Sequence, residues 1–82
     1  MDPTMENPVL NIMHKYIMIF AHDWARHSDR YLKGMAAGAI HAWYAVALEM
    51  VRTGQVTIDD DQLNEIRDEY LCLIHEGWCQ KD

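Results

Sequence analysis

The sequence contains few cysteines and no N-terminal stretch of apolar residues. Its two cysteines, Cys72 and Cys79, form neither a metal-binding pattern nor the dense framework of a disulfide-rich domain. Residues 1–7 contain two acids and a proline but no apolar run, so we expect no secretory signal peptide. These two absences favour a reducing, cytoplasmic setting.

Long hydrophobic runs are also absent. The most apolar stretch, residues 16–21, is far shorter than the roughly 20 residues that span a bilayer, so we expect no contact with a membrane. Half of the 82 residues are nevertheless hydrophobic, which indicates a globular chain rather than a disordered one. A chain of this length forms a single domain near the lower size limit for a stable core.

Positively charged residues are few, and the excess of acidic over basic residues is confined to one part of the chain. The chain has 7 Lys and Arg residues against 13 Asp and Glu residues, which gives a net charge of −6. The excess lies in residues 55–82, where only Arg67 and Lys81 oppose the acids. Direct nucleic-acid binding is disfavoured, because affinity for a phosphate backbone comes from Lys and Arg that displace counterions.

Local start and stop signals predict an all-α fold, a compact three-helix bundle that can form a dimer. Asn7 and Asp59 are favoured N-cap residues, and Gly54 supplies the left-handed position that ends a helix. The predicted core includes Trp24, Trp43 and Ile66. The predicted segments are a flexible N-terminus at residues 1–7 and helices at residues 8–27, 29–53 and 60–76.

The end of the first helix is open to two interpretations, because no glycine or proline occurs between Val9 and Lys33. In one, the helix breaks at His27 and Ser28 caps the next helix. In the other, the helix continues to Lys33 and the chain turns at Gly34. We favour the break.

The first two helices present unusual surfaces. Apolar side chains cover more of the circumference of helix 1 than the usual single stripe. The other two predicted helices are too short to cover all of this surface, so we expect a homodimer. Helix 2 has a bulky face and a small one, and we expect the small face to pack within the chain rather than form a dimer seam. The small face consists of Gly34, Gly38, Ala42 and Ala45.

The third helix carries a row of acids opposite its apolar stripe. A solvated helix surface is one explanation, since charge runs often serve solubility. The functional interpretation is that the carboxylates meet a basic partner surface and steer association. The predicted partner-binding residues are Asp61, Glu65, Asp68, Glu69 and Glu76.

Metal binding and catalysis have weak support. His14, Met18 and His22 follow one another at four-residue spacing, but they extend over about 12 Å of helix and cannot all reach one ion. Cys72 lies among acids whose charge disfavours a reactive thiolate. We therefore predict a protein that is not an enzyme and needs no cofactor or metal, with a small metal-binding protein as a remote alternative.

A short, acidic, helical chain without catalytic motifs resembles many phage- and plasmid-encoded inhibitors of host enzymes, anti-CRISPR proteins among them. The likeness is one of class, with no matching residues. It implies a protein that binds another protein and blocks or modulates it, here a nucleic-acid-handling partner with a basic surface. The alternative is a structural or accessory homodimer that uses the apolar surface of helix 1.

Overall fold

The fold is all-α. The computed structural model describes residues 3–27 and 29–74, and within these two ranges the chain forms helices without any strand. The described residues form four helices instead of the three predicted. They are α1 (Pro3–Glu6), α2 (Pro8–His27), α3 (Arg30–Arg52) and α4 (Asp60–Leu73).

The N-terminal segment differs from the predicted flexible terminus, because it forms α1 and packs on α2. Thr4 is buried, and the Asn11 side-chain amide donates to the Met5 carbonyl at 3.2 Å. Asn7 then caps α2 as predicted: its Oδ1 accepts from the backbone N–H groups of Val9 and Leu10 at 3.0 and 3.2 Å. The cap and the buried threonine together fix the chain before α2.

The chain breaks between α2 and α3, as favoured above. Asp29 is the N-cap of α3, and its side chain accepts from the Tyr31 N–H at 2.9 Å. The cap is thus one residue later than the predicted Ser28, which lies outside the described residues. Only residues 28 and 29 separate the two helices, so α2 and α3 form a helical hairpin.

The connection from α3 to α4 depends on two local signals that the sequence predicts. Gly54 has φ 79°, the left-handed conformation that ends α3. Val56 then inserts into the core, and Asp59 caps α4 by accepting from the Asp61 N–H at 3.3 Å. Helix α4 ends at Leu73 with Ile74 as its C-cap, so the predicted helix is too long at residue 74, and predicted residues 75 and 76 lie outside the described residues.

Trp43 is at the centre of the core, as predicted, and is fully buried. Its ring meets the Tyr70 ring edge-on at a centroid distance of 5.1 Å, which joins α4 to α3. Ile66 is partly buried and packs against this core. Trp24 is only partly buried, contrary to prediction, and the Lys33 ammonium lies 5.9 Å from its ring centroid. The buried apolar residues are Leu10, Ile17, Ala21, Ala36, Ile40, Trp43, Ala47, Val56, Leu63, Tyr70 and Ile74.

Candidate interaction surfaces

The outer face of α4 carries what we call the acidic surface. Its side chains are exposed because Leu63 and Tyr70 turn the opposite face of the helix into the core. One further predicted partner-binding residue, Glu76, lies outside the described residues. The acidic surface comprises Asp61, Glu65, Asp68 and Glu69.

One cation opposes this surface from within α4. The Arg67 guanidinium lies 4.7 Å from the centroid of the Tyr44 ring and pairs with Asp68 at 3.2 Å. The Tyr44 hydroxyl in turn donates to the Asn64 side-chain oxygen at 2.6 Å, which holds the ring in place. Asp61 and Glu65, one turn apart, have no ion-pair partner within the described residues. Their charge is therefore directed outward, and no other described residue compensates it through an ion pair.

A second surface is apolar and lies on α2. Four large side chains point away from the core: Val9 is 49% exposed, Ile12 54%, Tyr16 55% and Ile19 52%. We call this set the apolar stripe. The Tyr16 ring is held against the partly buried Phe20 at a centroid distance of 6.3 Å, so the stripe continues directly into the core.

The sequence predicts excess apolar area on this helix but does not show on which side of the helix it lies. Leu10, Ile17 and Ala21 are buried against the rest of the fold, and the apolar stripe lies on the opposite side of α2. The signal available in the sequence was the spacing of three, four and three residues along the stripe. Beyond Ile19 the surface forms a shallow depression of about 480 Å³, lined by Met18, Ile19, His22 and Asp23.

The small-residue face of α3 is exposed, and the prediction that it packs within the chain is wrong. An alanine methyl group at Gly34 or Gly38 would have no heavy atom within 4 Å. The bulky face of α3 is the one that meets α2 and α4, through residues such as Ile40 and Trp43. The small-residue face stays exposed because α2 and α4 both pack on the bulky face of α3.

Helix α3 is also the one described helix that is long and apolar enough to cross a membrane by length and composition. Its best window has a mean hydropathy of 1.2, and 22% of that window is buried inside the protein. Core helices of soluble proteins meet the same criteria, so the observation is weak evidence for a span.

The residues considered for metal binding do not lie together in the fold. His14 turns toward α4, where its Nδ1 makes a hydrogen bond of 2.5 Å with the Tyr70 hydroxyl, whereas His22 is exposed. Among the residues that the structure describes, no three His, Cys, Asp or Glu side chains group closely enough to hold a metal ion. Cys72 is disulfide-bonded and not the free thiol assumed from the sequence.

Comparisons with known proteins place the chain in no family. No family model matches it, and neither a curated protein nor a solved structure matches it significantly.

Proposed function

We propose that the protein is a non-enzymatic binding module that attaches to a basic surface of another protein and blocks or modulates it. The observation that carries the proposal is the acidic surface of α4, in which Asp61 and Glu65 are exposed without an ion-pair partner in the described chain. The partner that fits is a nucleic-acid-handling protein, since such proteins expose the lysines and arginines that carboxylates attract. An inhibitor of the phage or plasmid type would act in this way.

The geometry supports this mode of action because the carboxylates lie on one continuous helix, whose regular rise fixes the distances between them. Helix α4 is anchored by Leu63 and Tyr70, so the exposed acids keep their mutual spacing of about one turn. A row of like charges at fixed spacing can occupy a groove that otherwise holds a phosphate backbone, and it accelerates encounter with that groove. Each exposed pair alone contributes about 1 kcal/mol or less, so binding depends on several acids acting together.

The test reverses two neighbouring charges of the acidic surface, in the double variant Glu65→Lys with Asp68→Lys. Both positions are exposed, so the fold should tolerate lysine. Tagged wild-type and variant proteins would capture partners from host lysate, with stepwise salt elution and helicity checked by circular dichroism. We expect the variant to lose the captured partner, because two repulsive contacts replace two attractive ones at a cost of several kcal/mol.

A matched control separates local charge from net charge. The double variant Glu6→Lys with Glu49→Lys makes the same change in net charge at exposed positions outside the acidic surface. It should retain most of the binding. If the folded α4 variant binds as tightly as wild type, the acids only solvate α4 and the proposal fails.

A cytoplasmic location belongs to the proposal, and one feature weighs against it. Disulfides are rare in reducing compartments, whereas Cys72 is disulfide-bonded. Thiol labelling of the protein in freshly lysed source cells would decide the matter. A thiol at Cys72 that reacts without prior reduction agrees with a cytoplasmic location, and one that reacts only after reduction contradicts it.

A second candidate function is a structural or accessory homodimer, and the apolar stripe on α2 specifically favours it. The two candidates differ in their response to salt. A complex driven by carboxylates weakens as ionic strength rises, and a complex driven by apolar contact hardly changes.

A further inference from the structure

We infer that the apolar stripe of α2 is a self-association surface on which α2 of a second copy lies antiparallel. This inference rests on the second candidate function above, for which it names the seam and the direction of the helices, and it is independent of the proposed role of α4, because it concerns a different helix and a different kind of contact. It assigns Val9, Ile12, Tyr16 and Ile19 to a dimer seam.

The first support is the spacing of the exposed side chains. Intervals of three, four and three residues are those of the a and d positions in a coiled coil, where the seam repeats every 3.5 residues. On α2 this pattern occurs on the side opposite the buried residues Leu10 and Ile17, so the fold itself does not use it. A seam of this kind fits another helix with the same spacing, and a second copy supplies one.

The second support is area. Four half-exposed side chains of this size each leave on the order of 100 Å² accessible, so two copies bury about 800 Å² through these residues alone. This total is below the roughly 1,000 Å² at which a specific, stable interface begins, so the interface belongs to the weak, transient class. The area predicts a weak dimer that dissociates on dilution.

The third support is electrostatic, and it fixes the direction of the pair. Asp23 occupies the next seam position after Ile19 and lines the depression at the end of the stripe. In a parallel pair the two Asp23 carboxylates would face each other across the seam. In an antiparallel pair the two carboxylates lie at opposite ends of the seam, so this repulsion is absent. When the two antiparallel stripes overlap along their full length, Val9 lies opposite the partner's Ile19.

The experiment measures oligomeric state by sedimentation velocity from micromolar to millimolar concentration. We expect wild-type protein to pass from monomer to dimer in this range. Tyr16→Glu should raise the dissociation constant at least tenfold, because each dimer would bury two unpaired carboxylates. The matched control is Tyr31→Glu, the same substitution at a more exposed tyrosine outside the stripe, and it should leave the dissociation constant unchanged.

Two cysteine variants test the direction. An oxidised mixture of Val9→Cys and Ile19→Cys should form a cross-linked heterodimer that neither variant forms alone, and wild-type protein provides the background from the native cysteines. Cross-linking of Val9→Cys with itself as the main product would mean a parallel pair and overturn the assignment.

Three other results would also overturn it. The first is a wild-type monomer at millimolar concentration. The second is a dimer that survives Tyr16→Glu but dissociates on Gly38→Leu, since the seam would then be the small-residue face of α3. The third is a monomer that binds neutral phosphatidylcholine vesicles and loses that binding on Tyr16→Glu, which would make the stripe a membrane contact.

Discussion

Replacing Gly38 by alanine should stabilise the protein by about 1 kcal/mol, the difference in helix propensity between the two residues. Gly38 lies in the middle of α3, is exposed, and has ordinary negative φ. A methyl group there would meet no heavy atom within 4 Å, so no steric cost offsets the gain in propensity. The unfolded chain also loses conformational freedom, which acts in the same direction.

The assay is thermal unfolding followed by circular dichroism, combined with urea unfolding to obtain the free energy. For a domain of this size, 1 kcal/mol corresponds to an increase in Tm of about 4–8 °C. Gly54→Ala is the matched control, because the residue has φ 79° and an alanine there is strained. We expect it to destabilise the protein by about 1 kcal/mol.

The pair of variants can refute the reasoning. Suppose that Gly54→Ala destabilises as expected but Gly38→Ala is neutral or harmful. Something must then pack closely on the small-residue face in solution, and the interpretation of that face as open surface would be wrong.

Two further substitutions test the core and the helix break. Trp43→Ala removes the largest fully buried side chain and should cost about 3–5 kcal/mol, enough to abolish cooperative urea unfolding in so small a domain. Asp29→Ala removes the acceptor for the Tyr31 N–H and should cost about 1 kcal/mol, measured as a lower urea midpoint. The same loss from Asp29→Asn, which keeps an acceptor, would show that capping is not the cause.

The helix boundaries were largely predictable because they depend on local chemistry. Asn7, Gly54 and Asp59 act through backbone groups within three residues of themselves, and all three have the predicted roles. The cap of α3 was misplaced by one residue because Ser28 and Asp29 are both good caps, and the choice depends on where α2 ends. The N-terminal helix α1 was missed because its order comes from packing on α2.

Burial was less predictable, since periodicity does not say which apolar side of a helix meets its neighbours. Trp24 and Trp43 both belong to the apolar pattern of a predicted helix, yet of these two Trp43 is the one that α4 covers, through the ring of Tyr70. The small-residue face of α3 and the apolar stripe of α2 are exposed for the same reason. Each helix has two apolar sides, and the fold covers one. The acids of α4 could be placed on its outer face from sequence because their positions oppose a single apolar stripe.

The helical hairpin has a consequence for how the chain folds. With only residues 28 and 29 between α2 and α3, the contacts that form first lie close in sequence, which favours folding in microseconds to milliseconds. Helix α4 is joined to the hairpin by the longer connection at residues 53–59 and is held against the hairpin chiefly by Leu63 and Tyr70. We therefore expect α4 to open first under native conditions, with its amide hydrogens exchanging ahead of those in the hairpin. The acidic surface would then belong to the part of the molecule that most readily detaches and docks again.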